Sequence, residues 1–275
     1  MDKVRFGIIG VGGMGSHHAR YLQAGEVKRA ELTALCDIDE NKLQNWGDIK
    51  TFTKSADLIR SGLVDAVIVA TPHYDHTTIG IDAMQQGLHL LTEKPISVHK
   101  ADCEKMIAAH RANPKLVFGA MFQQRTDPVW KKLKKFLEAG ELGEISRITW
   151  IITSWFRTEA YYASGGWRAT WSGEGGGILL NQCPHNLDMM QWLFGMPSKI
   201  RAFMAFGAKH DIEVEDQVTA YLEFPNGATG AFIVSTGEAP GTDRLEIAGE
   251  RGKVVVEGGK INFTRNEIPM TEFSR

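Results

Sequence analysis

The chain has 275 residues, 43% of them apolar, with 31 basic against 33 acidic side chains and a formal net charge of −2. That length holds one large domain or two ordinary ones, each with its own core, and the balanced charge gives no reason to expect a nucleic acid partner. No run of about 18 apolar residues occurs, so no membrane partner is expected; the stretch from Met1 to Gly10 lacks the basic start and cleavage site of a signal peptide, which points to the cytoplasm.

From Lys3 to about Ala120, short apolar runs alternate with segments of helical period, the mark of βαβ units around a parallel sheet. Strands are predicted at Val4–Ile9, Glu31–Cys36, Asp65–Ala70, His89–Thr92 and Leu116–Ala120, with a weaker one at Lys50–Phe52. Helices are predicted at about Met14–Ala24, Thr77–Gln86 and Ala101–Ala112. A further helix starts at Asp127-Pro128, a cap residue followed by proline, and ends near Gly140. Its lysines 131, 132, 134 and 135 read as a solvated face opposite Trp130, Leu133, Phe136 and Leu137.

From Ile145 onward the two-residue period of an antiparallel sheet dominates. Gln217–Phe224 and Ala228–Ser235 form a hairpin through Pro225-Asn226-Gly227, and Arg244–Ala248, Lys253–Glu257 and Lys260–Thr264 continue a meander. One helix, Pro184–Leu193, interrupts it. The fold class is therefore α/β followed by α+β: a doubly wound Rossmann domain over 1–123, then a domain with a large, mostly antiparallel open sheet over 124–275. Cys36, Cys103 and Cys183 are far apart and odd in number, so they read as structural thiols and not as a disulfide framework or metal pair. No metal site is expected.

The first strand runs into Gly10-Val11-Gly12-Gly13-Met14-Gly15, which fits G-x-G-x-x-G and opens a helix. Glycines let the backbone turn tightly and approach a pyrophosphate, whose charge then meets the N–H groups of the helix N-terminus. Asp37 ends the next strand, 22 residues after Gly15. A carboxylate there accepts hydrogen bonds from an adenosine ribose and repels a 2′-phosphate, so NAD is favoured over NADP. The competing reading makes the glycines a plain turn and Asp37, or equally Asp39, a helix cap. His17 and His18 read as surface or helix-packing residues.

Thr71, Pro72, His73 and His76 follow the fourth strand and Glu93-Lys94-Pro95 follows the fifth, at the carboxyl ends where open α/β sheets bind ligands. All are cofactor-site candidates, together with Gly10, Gly12, Gly13, Met14 and Gly15. Combined with Gln124-Arg125-Thr126-Asp127-Pro128, Gly140-Glu141-Leu142-Gly143, Gly166-Trp167-Arg168 and the run Gly175-Gly176-Gly177 to His185-Asn186-Leu187-Asp188, the chain resembles the glucose-fructose oxidoreductase and inositol dehydrogenase family along nearly its whole length.

The resemblance implies an NAD-dependent oxidoreductase acting on a secondary alcohol or ketone of a sugar, glycoside or cyclitol. It also implies that Lys94 lies beside the nicotinamide and touches the reacting hydroxyl. Near a positive ring and partly desolvated, that ammonium is pushed toward a lower pKa, which suits proton exchange; the alternative is an exposed lysine paired with Glu93. His185 matches the general base, as its ordinary pKa near neutrality allows, although a histidine among leucines and methionines also reads as a core residue. Four residues earlier the family usually carries aspartate where this chain has Asn181, which orients an imidazole but cannot balance its charge. The proton path then leans on Lys94 or Asp188, or Asn181 serves only as a helix cap.

His73 stands where relatives often carry Asn, and Gln123 matches a position that often faces nicotinamide or substrate. Trp167 and Arg168, with Trp155, Tyr161, Tyr162 and Trp171, suggest a substrate loop, since aromatic faces stack on sugar C–H faces while arginine binds hydroxyls. Two other functions fit the same resemblance: an NAD-dependent glycosidase working by transient sugar oxidation, and a non-catalytic dinucleotide-binding regulator. Relatives carry more chain after the sheet, so the sequence reads as possibly truncated at Arg275, and the sheet's uncovered face predicts a homodimer or homotetramer.

Overall fold

The computed structural model describes residues 3–275; Met1 and Asp2, part of the stretch read for a signal peptide, lie outside the described residues. The chain divides into two compact units, one running to Met121 and taking in Gly173–Gly175, the other made of Phe122–Ser172 and Gly176–Arg275.

In the first unit, β1 (Val4–Ile9), β2 (Ala30–Cys36), β3 (Lys50–Phe52), β4 (Ala66–Val69), β5 (His89–Thr92) and β6 (Phe118–Ala120) form one sheet. Its order is β3-β2-β1-β4-β5-β6, with every neighbouring pair parallel. Helices α1 (Gly13–Gln23), α2 (Ser55–Ile59), α3 (Asp75–Gln85) and α4 (Lys100–Ala112) connect the strands. Alternate strand residues enter two separate cores: Ile9, Val67 and Val69 pack with Met84 and Met106, whereas Ile8, Leu35 and Ile68 pack with Ala19 and Leu22. A sheet covered on both faces needs apolar residues on both, which is why its strands read as unbroken apolar runs. The strand order reverses between β1 and β4, opening a crevice at their carboxyl ends.

The second unit opens with α5 (Pro128–Glu138), capped by Asp127, whose Oδ1 accepts from the Val129 amide at 2.8 Å. Then follow β7 (Ile145–Ile152), α6 (Glu159–Ala163), α7 (Pro184–Phe194), β8 (Lys199–Phe206), β9 (Glu215–Glu223), β10 (Thr229–Ser235), β11 (Asp243–Gly249), β12 (Gly252–Glu257), β13 (Lys260–Arg265) and α8 (Met270–Phe273). Seven strands make one sheet, ordered β13-β12-β11-β7-β10-β9-β8.

The expected meander is broken at its centre. β7 lies between β10 and β11, parallel to the first and antiparallel to the second, and puts Ile148, Trp150 and Ile152 into the core. Two helices cover that face where the sequence suggested one: Leu133 of α5 joins Met189, Met190 and Leu193 of α7 in the same cluster. The short helices α2, α6 and α8 and the strand β8 escaped the sequence reading. β8 is an edge strand whose residues are exposed on both faces except for a half-buried Ala205, so it carries no apolar alternation to detect.

Cys36 and Cys183 are buried and Cys103 is half-buried, all three as free thiols; burial pushes the Cys36 thiol up to about 12. The lysine face of α5 is solvated, except that Lys134 Nζ donates to the Trp192 carbonyl at 2.7 Å, near the carbonyl end of α7. Among the described residues, no helix is long and apolar enough to cross a membrane.

Candidate active site

The glycine turn joins β1 to α1, and two of its glycines are required by contact. Gly10 has φ +91°, and a Cβ there lies 2.6 Å from the Ala70 carbonyl oxygen; one on Gly15 falls 1.7 Å from the Gly10 oxygen. Gly12 and Gly13 differ, since a Cβ on either meets nothing within 4 Å. The turn is therefore open on the side where α1 begins. Gly12 caps α1 without a side-chain hydrogen bond, and no acidic residue stands in its first turn. Uncapped amides at a helix start, under open space, are the donor set a pyrophosphate needs. The residues present fit a dinucleotide.

Asp37 is 7% exposed. Its Oδ2 accepts from the Val11 amide at 2.7 Å, and Oδ1 accepts from the Asp39 amide at 2.9 Å with Lys42 Nζ at 3.4 Å. The carboxylate thus stands against the glycine turn, with lone pairs left for a ribose hydroxyl. The cap of the following 3-10 turn is Asp39, which accepts from the Asn41 amide at 3.1 Å.

Thr71 and Lys94 continue neighbouring parallel strands, β4 and β5, whose Val69 and Thr92 are in register. Thr71 and Lys94 are half-buried, and Met14 and Pro72 are exposed. His73 is buried, with Nδ1 3.0 Å from the Glu174 carbonyl oxygen. His76 has no exposed surface; Nδ1 faces the Pro95 carbonyl at 2.8 Å and Nε2 the Thr71 carbonyl at 2.9 Å. Burial drives this ring toward its neutral form against the pull of both carbonyls. In this arrangement His76 offers a ligand no surface and instead ties the loop after β4 to the loop after β5.

The sequence reading missed the partner of Glu93. His18, on the buried side of α1, places Nε2 2.7 Å from Glu93 Oε1, while its Nδ1 is 2.8 Å from the Tyr21 hydroxyl. The other carboxylate oxygen accepts from the Lys94 amide at 3.2 Å. Burial pushes the Glu93 carboxyl up, but His18 and Lys94 outweigh it and hold the group below the ordinary carboxylate value.

In the second unit, the glycine run before α7 lies against β9. A Cβ on Gly177 meets the Glu215 carbonyl oxygen at 2.0 Å. Glu215 also takes the Gly177 and Leu179 amides on its two carboxylate oxygens, at 2.9 and 3.1 Å. This fixes the turn leading to Asn181, which is half-buried and donates its amide to the Gly177 carbonyl. The cap of α7 is Cys183, so Asn181 precedes the cap and does not form it. His185 sits in the first turn of α7, 8% exposed, with the Phe122 ring edge-on at 6.0 Å. Gln123 is exposed at the start of a 3-10 turn. Asp188, the sequence's alternative for the proton path, has each carboxylate oxygen bonded by Arg125.

The aromatic segment gathers around one arginine. Arg168 donates to the Tyr161 hydroxyl at 2.9 Å and lies over the Tyr161 and Trp167 rings at 4.6 and 4.8 Å. It helps line an open cavity of about 660 Å³ with Glu159, Tyr162, Thr170, Asp211 and Glu213. Trp155 instead stacks under Arg157, and Trp171 is 48% exposed.

Two family models match. "Oxidoreductase family, NAD-binding Rossmann fold" covers residues 4–120, and "GFO/IDH/MocA C-terminal domain" covers residues 130–255. The rhizopine catabolism protein MocA of Rhizobium meliloti is 30% identical over 250 residues, 88% of this chain and 74% of that protein. Myo-inositol 2-dehydrogenase of Thermotoga maritima is 29% identical over 267 residues, 92% of this chain and 75% of that protein. The crystal structure of the WlbA dehydrogenase of Bordetella pertussis, in complex with NADH and UDP-GlcNAcA, matches with TM-score 0.88 and 29% identity. That match covers 98% of this chain and 80% of that one.

Proposed function

The chain belongs to the Gfo/Idh/MocA family of oxidoreductases, with an NAD-binding Rossmann domain, and from that premise we propose that it transfers a hydride between the nicotinamide and a carbinol carbon of a sugar, glycoside or cyclitol. The observation that carries this reading lies within the first unit: the uncapped start of α1 and the Lys94 loop leave the same edge of one parallel sheet, following β1 and β5. Bound NAD supplies the hydride acceptor, and the protein supplies orientation and proton transfer. Lys94 hydrogen-bonds the reacting hydroxyl, and His185 takes its proton as the carbon gives up hydride. Trp167 and Arg168 bind the substrate's ring face and hydroxyls, with Asn181 orienting His185.

A carbohydrate or cyclitol substrate agrees with the relatives, one named for myo-inositol and another bound to a nucleotide-linked sugar acid. The test offers NAD with cyclitols, aldoses, amino sugars, free and nucleotide-linked uronates and glycosides, following reduced nicotinamide by absorbance and products by mass. Lys94→Ala and His185→Ala should each lower turnover by roughly 100-fold or more with NAD binding largely kept. Near-normal turnover in both variants defeats the assignment.

A further inference from the structure

Lys94 is the group on which the proposed chemistry turns, and its loop is anchored by residues that the mechanism above does not use. His18 is 3% exposed on the inner side of α1, three residues past the last glycine of the turn, and Glu93 is 7% exposed at the end of β5. An ionised carboxylate can only accept hydrogen bonds, so the 2.7 Å contact requires the proton on His18 Nε2. With that nitrogen donating, a neutral ring accepts from the Tyr21 hydroxyl through Nδ1, at 2.8 Å. Every polar atom of the pair has a partner, and the chain of bonds runs Tyr21 to His18 to Glu93, ending on the backbone amide of Lys94.

We propose that His18 is a positioning residue for Lys94, fixing through Glu93 both the start of the Lys94 loop and a carboxylate beside its amine. The proposal rests on the reading that Lys94 touches the reacting alcohol, and it extends that reading to a helix that presents its amides to the dinucleotide. α1 thereby joins the cofactor's pyrophosphate end to the amine, so the two are set by one rigid element. Burying a carboxylate is unfavourable unless it is paired, and His18 is the side chain that pairs it. The titratable groups facing Glu93 are His18 and Tyr21 from α1, His76 from α3 and Lys94 from its own loop. His76 holds the Pro95 carbonyl independently of this chain of bonds.

The experiment uses the full chain and three variants: His18→Leu, which keeps bulk and removes the donor; His18→Gln, whose amide can still donate to Glu93; and Glu93→Gln, which removes the charge. Calorimetry gives the NAD dissociation constant. ¹³C NMR of the reductively methylated, cofactor-free protein gives the titration midpoint of Lys94, assigned through its loss in Lys94→Ala. For His18→Leu the expected result is a fall in kcat of about 10-fold or more, an NAD dissociation constant within about 3-fold of the parent and a downward-shifted Lys94 midpoint, with His18→Gln recovering most of each.

Glu93→Gln should shift the Lys94 midpoint in the same direction, and it carries the test if His18→Leu does not fold. An unmoved midpoint in Glu93→Gln and in whichever His18 variants fold overturns the proposal, as does an equal loss in His18→Leu and His18→Gln. Turnover that survives Lys94→Ala sinks the functional reading instead, whatever the NMR result.

Discussion

Arg125 grips Asp188 with two bonds, Nε to Oδ2 at 2.7 Å and Nη2 to Oδ1 at 2.5 Å, and so fastens the 3-10 turn before α5 to the middle of α7. The pairing is asymmetric. The arginine side chain is 41% exposed and the aspartate 10%. Removing the arginine strands a buried charge, whereas removing the aspartate leaves a cation that water can reach. Arg125→Ala should therefore cost about 2–3 kcal/mol of stability and Asp188→Asn about 1 kcal/mol, read from urea unfolding. Asp188→Asn should keep turnover within a few-fold, the outcome expected where the carboxylate serves the Arg125 pair and His185 takes the proton. The reverse order of stabilities, or abolished turnover in a folded Asp188→Asn protein, refutes this.

Asn181 lies four residues before His185 and outside the cap of α7, so its side chain is not required to start that helix. A carboxylate at this position would favour the imidazolium form of His185 and raise its pKa. In Asn181→Asp the acid limb of the pH profile of kcat/KM should move to higher pH, by about 0.5 unit or more. An unchanged limb would mean that this side chain does not reach the imidazole.

Asp37 holds the glycine turn through the Val11 amide and receives the ribose in the proposed complex. Asp37→Ser should raise the NADP-to-NAD ratio of kcat/KM by about 10-fold or more through relief of charge repulsion. It should also raise the KM for NAD, because the Val11 amide loses a charged acceptor. Steady-state kinetics with both coenzymes decides this.

The Rossmann half was legible because its signals are local: G-x-G-x-x-G, an apolar strand on either side and an acid at the next strand end all lie within one βαβ stretch. The hairpin at Asn226-Gly227 was legible for the same reason, with Gly227 at φ +84°. What stayed hidden is long-range polar pairing. His18 and Glu93 are 75 residues apart, Arg125 and Asp188 63, and Gly177 and Glu215 38. Periodicity reports which side of an element is apolar, not which polar group across the fold will answer it. His18 therefore read as a surface or helix-packing residue and Asp188 as an alternative for the proton path.

Glu93 makes stability depend on acid. Its folded pKa lies below the ordinary value of 4.5, because His18 and Lys94 together outweigh burial. The unfolded chain thus binds the proton at higher pH than the folded one, so this stabilisation is full above about pH 4.5 and is lost as pH falls through the folded value. The stability difference between the parent and Glu93→Gln, from urea midpoints, should be flat from pH 6 to 8 and shrink below about pH 4.5. A difference that is constant down to pH 3 would show that folding does not shift the Glu93 pKa.

The seven-stranded sheet leaves one face uncovered at its β8 edge. Phe203 on β8 is 80% exposed and pairs with Thr219 of β9, while Tyr221, two residues along, pairs with Arg201 and is 46% exposed. Lys199 and Arg201 flank the aromatics on the same face, and Ile200, Met204 and Phe206 are about half exposed on the other. An apolar strip on an edge strand invites pairing with a second sheet, and an interface between two copies of one chain needs only self-complementarity. The expected species in light scattering is a dimer or larger. Phe203→Glu places charge at the centre of the strip and should weaken the association by about 100-fold or more while leaving the monomer folded, since Phe203 supports no core contact. A parent protein that stays monomeric at high micromolar concentration removes this role for the sheet face.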